Sequence, residues 1–126
     1  MAVIIQLHEG VAINKFFIYK PVLRIGRDPE SDIYVDNDVV SAEHAVIEMV
    51  ESAENNGDPE YYIQDIESTN ATYLNGKKIV REKLKHNDIL RIGFNSFRFV
   101  DESKENPETT TKIHKSWIPG VYYTKK

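Results

Sequence analysis

Apolar and polar positions alternate along much of this chain with a period of two, and no segment sustains a helical period. Ala2 to Leu7 is apolar and rich in β-branched residues, so it predicts a strand, and His8-Glu9-Gly10 is the first turn. Lys15 to Tyr19 reads as a second strand, and Pro21 after it suits a sheet edge. Val22 to Gly26 and Ile33 to Val35 are short strands separated by a loop, Arg27 to Asp32, with its turn at Pro29. Asp36-Asn37-Asp38 breaks the pattern, and Val39 to Ser41 reads as a brief extended piece. In His44 to Val50, Ala45, Ile47 and Met49 alternate with Val46, Glu48 and Val50. Glu51 to Glu60 is polar and carries Asn56-Gly57 and Pro59, which predicts a long hairpin loop before a strand over Tyr61 to Ile66. Arg81 to Asn87 is polar and leads into Ile89 to Gly93 and Phe94 to Val100, where Leu90, Ile92, Phe97 and Phe99 fit period-two faces. About ten or eleven short strands with turns between them predict an all-β sandwich or barrel.

One stretch stands apart from this alternation. Asp65 to Gly76 is dense in short hydrogen-bonding side chains yet flanked by apolar residues. Ser68, Thr69 and Asn70 favour a loop, because their side chains compete with strand hydrogen bonds. Thr72 to Leu74 then reads as a short strand, and Asn75-Gly76 is a strong tight-turn signal. A polar triplet held between two strands presents donors rigidly. Gly26-Arg27 and Ser41-Ala42-Glu43-His44 are two further pieces that could face it. An arginine fork, two hydroxyls and an amide together suit a phosphate group.

Composition narrows the remaining choices. At 126 residues, 40% apolar and 29% charged, the chain is an ordinary single globular domain with enough length for a core. A net charge of −4 argues against broad nucleic-acid binding. There is no cysteine, hence no disulfide framework, which fits a reducing compartment and a cytoplasmic location. Met1 to Leu7 lacks the basic start and the apolar length of a signal peptide. Nothing approaches the roughly 20 apolar residues of a membrane span. Ser41 and His44 could be pictured as nucleophile and base, but no Gly-x-Ser-x-Gly elbow and no orienting acid accompany them, so no enzyme activity is expected. His8, His44, His86 and His114 are too scattered for a metal site, Asp36 to Asp38 is too short for a calcium loop, and no cofactor is expected.

After Val100 the composition shifts. Residues 1–100 form the expected domain, and 101–126 a polar linker followed by a tail. The linker includes Pro107 and three successive threonines. Trp117, Ile118, Pro119, Val121, Tyr122 and Tyr123 are apolar or aromatic, and such a tail is expected to dock on this domain or on a second copy as a homodimer.

Gly26-Arg27, then Ser41-x-x-His44, then Ser68-Thr69-Asn70-x-Thr72-x-x-Asn75-Gly76, in this order and spacing, resemble the forkhead-associated (FHA) domain family over about residues 2 to 100. The resemblance implies a twisted sandwich of eleven strands whose loops, at one end, bind phosphothreonine peptides. It makes Arg27 and Ser41 phosphate ligands and gives Thr69 a third phosphate contact, by hydroxyl or backbone N–H. It places Asn70 on the peptide main chain and makes His44 a structural brace. Gly26 allows close backbone approach, and Asn75-Gly76 serves as turn chemistry. The implied role is a signalling adaptor for proteins phosphorylated by a Ser/Thr kinase. Choice at the third residue after the phosphothreonine would come from loop side chains near Val39, Val40 and Glu67, with an aliphatic preference. Thr110 is then a candidate phosphoacceptor, because Ile113 lies three residues after it.

Two positions depart from the family pattern. Ala71 stands where glycine is usual; if that residue needs positive φ, alanine costs about 1 kcal/mol. Ala42 stands where arginine or another polar residue is usual, which removes a contact to a peptide. Both departures also fit an alternative, a phosphate-independent scaffold or dimer that uses the aromatic tail.

Overall fold

The computed structural model describes residues 2–51 and 58–102. Eleven strands form among them: β1 (Ala2–His8), β2 (Val11–Phe17), β3 (Val22–Gly26), β4 (Ile33–Tyr34), β5 (Ala45–Glu51), β6 (Pro59–Asp65), β7 (Thr72–Leu74), β8 (Lys77–Ile79), β9 (Arg81–Lys83), β10 (Ile89–Ile92) and β11 (Asn95–Asp101). They make a six-stranded sheet in the order β2-β1-β11-β10-β7-β8 and a five-stranded sheet in the order β4-β3-β5-β6-β9. All pairs are antiparallel except β3 with β4, where Ile25 faces Ile33 and Gly26 faces Tyr34. The expected all-β sandwich is the architecture observed, with the expected eleven strands. No helix among the described residues is long and apolar enough to cross a membrane.

The core lies between the sheets and follows the alternation. Ile4, Leu90, Ile92, Phe97 and Phe99 from one sheet meet Leu23, Ile25, Ile47 and Ile63 from the other, all at 1% exposure or less. Burying a side chain of this size contributes roughly 1.5–3 kcal/mol, so this layer drives the fold. The rings of Tyr61 and Phe99 meet across it with centroids 5.3 Å apart and planes tilted by 53°, a favourable aromatic geometry.

Several boundaries differ from the sequence expectation. β2 spans Val11–Phe17 rather than 15–19, because Glu9 and Gly10, with φ of 53° and 80°, form a tight hairpin that pairs His8 with Val11. Val11, Ile13 and Asn14 are exposed, so no burial pattern marks the start of this edge strand. Val35 and Val39 to Ser41 are not strand: Asn37 receives the Val39 N–H on Oδ1 at 3.0 Å and the Val40 N–H on its carbonyl at 2.9 Å, which closes a turn. Pro59 and Glu60 belong to β6, where Pro59 faces Glu51 and Glu60 faces Val50 at the end of the β5–β6 ladder. Lys77–Ile79 and Arg81–Lys83 become strands with little apolar content, because neighbours β7 and β6 supply their pairing.

Candidate functional site

Gly26 ends β3 where a neighbouring loop comes close. A Cβ at this position would lie 2.0 Å from the Ala42 carbonyl oxygen, so only glycine lets the two backbones meet. Their contact is hydrogen-bonded: Arg27 N donates to the Ser41 carbonyl at 3.0 Å and Asp28 N to the Ala42 carbonyl at 3.2 Å. Arg27 itself is exposed. Its Nε donates to the Val40 carbonyl at 2.9 Å, which fixes one edge of the guanidinium. The two Nη groups remain for a ligand, the geometry in which a planar fork reads an oxyanion.

His44 ties the loops together from inside. It is fully buried, its Nδ1 accepts the Ser41 N–H at 3.0 Å, and its Nε2 lies 2.8 Å from the Ala71 carbonyl. Those two partners assign a neutral ring with the proton on Nε2, since Nδ1 must accept and Nε2 must donate. A ring enclosed this way has no face left for a ligand, so the geometry is that of a brace.

The third loop, residues 66–71, is built around Asp65. Its carboxylate accepts the Ser68 N–H at 3.0 Å, the Ser68 hydroxyl, and the Thr72 hydroxyl at 2.7 Å. Thr72 is fully buried, so this last bond satisfies a hydroxyl that water cannot reach. Burial pushes the Asp65 carboxyl up, but the hydrogen bonds from Ser68 and Thr72 outweigh it and hold the group below its usual range. Within the loop, Glu67 and Ala71 take left-handed backbone, with φ of 49° and 68°. Ala71 therefore occupies the conformation in which glycine has the advantage.

The three loops converge. Thr69 N donates to Ser41 Oγ at 3.1 Å, and Asn70 Nδ2 donates to the Val39 carbonyl at 2.9 Å. Arg27 reaches the same turn through Val40 and Ser41. Because Ser41 Oγ accepts from Thr69, its own O–H proton is free to donate outward. The Thr69 N–H is thereby committed, which leaves its hydroxyl as the group a ligand can use. Asn70 keeps one amide hydrogen and its Oδ1.

Asn75 and Gly76 lie away from this cluster, in the β7–β8 turn, with φ of 51° and 85°. Asn75 does more than turn the chain: its Nδ2 donates to Asp88 Oδ1 and its Oδ1 accepts the Ile89 N–H, both at 2.9 Å, which locks β7 against β10. Val40 is 1% exposed and belongs to the core, so it cannot select a peptide residue, while Val39 is only half-buried. Gly93 comes so near these valines that a Cβ there would lie 2.7 Å from Val40 Cγ2. The next residue, Phe94, is 80% exposed on the turn beside them. Phe94 continues an apolar run in the sequence, so only the Gly-Phe-Asn break marks it as a turn residue. No cluster of three or more His, Cys, Asp or Glu side chains among the described residues could hold a metal ion. Thr110 and the aromatic tail lie outside the described residues.

The FHA domain family model matches residues 23–93, more than half of the chain and all three loops. An oxoglutarate dehydrogenase inhibitor of Corynebacterium jeikeium is 33% identical over 92 residues, covering 73% of this chain and 59% of that protein. The glycogen accumulation regulator GarA of Mycobacterium tuberculosis is 33% identical over 87 residues, covering 69% of this chain and 48% of that one. The chain thus spans about half the length of these bacterial relatives. Among solved structures, the MEK1 FHA domain superposes with a TM-score of 0.70 at 27% identity, covering 79% of this chain and 88% of that one. The same domain bound to a HOP1 phosphothreonine peptide superposes with a TM-score of 0.64 at 24% identity, covering 80% and 96%. With its two-sheet architecture, its three converging loops and a family match across them, the chain belongs to the FHA domain family.

Proposed function

We propose that this chain is a phosphothreonine-peptide-binding module that acts as an adaptor for Ser/Thr-phosphorylated proteins. One observation carries the reading: Arg27, pinned through Nε to Val40, stands at the turn where Ser41 accepts from Thr69 and keeps its own proton for a ligand. The Arg27 Nη groups and the Ser41 and Thr69 hydroxyls take the phosphate, and Asn70 takes the peptide main chain. Gly26, His44, Asn75 and Gly76 hold the loops and strands in place and touch no ligand. The role needs no catalysis and no cofactor, and it suits a cytoplasmic protein downstream of a Ser/Thr kinase. The MEK1 domain's phosphothreonine complex and the regulatory names of the bacterial relatives support the same class.

A phosphothreonine brings nearly two negative charges and several acceptors. Hydrogen bonds to a charged group contribute roughly 1.5–3 kcal/mol each, and ordering the peptide offsets much of that. A dissociation constant near about 1 μM follows. Calorimetry with matched phosphothreonine and unmodified peptides, drawn from an oriented library, tests the reading. The phosphorylated member is expected to bind and its partner to show no measurable heat. Equal binding of both would replace this function with a phosphate-independent scaffold.

A further inference from the structure

The alternation that buries one face of each strand turns the other outward, and on the six-stranded sheet that outer face carries cations. Leu74, Ile79, Leu90 and Phe97 enter the core, so their neighbours Tyr73, Lys78, Arg91 and Arg98 point the other way. The register sets Lys78 and Arg91 on either side of Tyr73, and Arg98 beside Ile89, two residues from Arg91 along β10. The Arg91 guanidinium lies over the Tyr73 ring, 4.1 Å from its centroid, which holds the charge against the sheet. Lys78, Arg91 and Arg98 are all exposed, and none of them makes an ion pair among the described residues. The other sheet provides a contrast, since Arg81 meets Glu48 at 3.0 Å and Lys83 meets Glu60 at 3.2 Å across its strands. On a chain of net charge −4, three uncompensated cations on one face are a local concentration of positive charge.

This face begins where the phosphate loops end. Asn70 is bonded to Val39, and three residues later Tyr73 is paired with Arg91. Three residues of chain span at most about 11 Å. Arg91 Nη1 also lies 3.4 Å from the carbonyl of Gly93, the residue that packs against Val39 and Val40. The turn to which Asn70 is bonded has the opposite charge. It carries Asp36 and Asp38, and Glu43 follows just after Ser41; all three are exposed and outside any ion pair among the described residues. An acidic segment leaving Asn70 is therefore repelled by that turn and attracted to the sheet.

We propose that Lys78, Arg91 and Arg98 form a docking surface for an acidic segment of the same phosphorylated partner, beginning about four residues from its phosphothreonine. The proposal rests on Arg27, Ser41, Thr69 and Asn70 being the phosphopeptide site, and it adds the class of sequence that such a partner carries. Charge complementarity and continuity with the loops identify the occupant. At about 3.3 Å per residue, an extended peptide covers the distance from Asn70 to Tyr73 with three residues beyond the one that Asn70 reads. Exposed ion pairs are individually weak and screened by salt, so this surface selects among phosphorylated sequences while Arg27 and its partners hold the phosphate.

Fluorescence polarisation with a set of phosphothreonine peptides tests the surface. One peptide is neutral, two carry three glutamates from the fourth residue on the N-terminal or the C-terminal side, and a fourth has lysines in place of the favoured glutamates. One acidic extension is expected to tighten binding about five- to tenfold at low salt, and the gain is expected to shrink at about 0.5 M salt. The lysine peptide is expected to bind more weakly than the neutral one. Lys78→Gln combined with Arg91→Gln is expected to remove the gain and leave the neutral peptide's affinity unchanged. No gain from either extension, or a gain that survives both substitutions, overturns the proposal. If the neutral phosphopeptide itself does not bind, the phosphothreonine reading fails, and the surface is judged by an unphosphorylated hexaglutamate peptide. That probe is expected to shift the amide resonances of Tyr73, Lys78, Arg91 and Arg98, and unchanged resonances overturn the surface. Tighter binding of a single-stranded oligonucleotide or of phosphatidylserine vesicles at these residues overturns the acidic protein segment as occupant.

Discussion

Arg27 concentrates the binding argument in one side chain, because Nε is spent on Val40 and the rest of the fork faces outward. Arg27→Ala is expected to weaken a phosphothreonine peptide by roughly 2–5 kcal/mol, part of which is the stranded phosphate charge. Calorimetry showing less than a tenfold loss would count against Arg27 as a ligand. Ala71 makes a second prediction of opposite sign. Its φ of 68° is strained for an L side chain. Ala71→Gly is expected to raise stability by about 1 kcal/mol in thermal or urea unfolding, the relief of strain exceeding the added chain entropy. Both residues were visible in the sequence, Arg27 as a fork after glycine and Ala71 as a departure from a pattern. The sequence did not show that the Thr69 N–H is consumed by Ser41 or that Val40 is core, because both depend on how a separate loop packs.

Elements set the precision with which those residues are presented. Asp65, the last residue of β6, organises the next turn of chain through three hydrogen bonds, and one donor is the buried Thr72. Asp65→Ala leaves those donors without a partner and is expected to cost about 2 kcal/mol of stability, with peptide affinity falling as the loop loosens. The carboxyl's folded value lies below its unfolded one. Its stabilisation is therefore complete above about pH 4 and is lost as pH falls through the folded value. Urea unfolding from pH 7 downwards is expected to show a shallower acid decline for Asp65→Ala than for the unaltered chain. Strands whose side chains alternate between core and water, such as β3, β5 and β10, were legible in advance. β2, β8 and β9 were misread or missed, because an edge or a polar strand is held by its neighbour's backbone and leaves little pattern of its own.

Across the sandwich, stability and recognition reside in different places. The core is shared by both sheets, whereas the loops proposed to bind phosphate contact one another outside it. Phe97→Ala, at a fully buried position, is expected to cost about 3–5 kcal/mol, a large share of the 5–15 kcal/mol typical of a whole domain. Arg27→Ala is expected to change stability by no more than about 1 kcal/mol, the value of its bond to Val40. Comparing the midpoints of both variants in one urea series checks the separation.

Alternation of apolar and polar residues was enough to announce an all-β sandwich, since period-two burial has few other physical solutions. Three short motifs were enough to suggest a phosphate-binding set, the one proposed above, since their side chains suit that anion. Neither could place the motifs beside one another. That placement depends on the missing Cβ at Gly26, on a buried His44 bonded to Ser41 and Ala71, and on Asp65 gathering the loop that follows it. The Gly26–Ala42 approach and the His44–Ala71 bond join segments 16 and 27 residues apart, and such contacts exist only once the chain has folded back on itself, whereas the bonds of His44 to Ser41 and of Asp65 to Ser68 shape each loop locally.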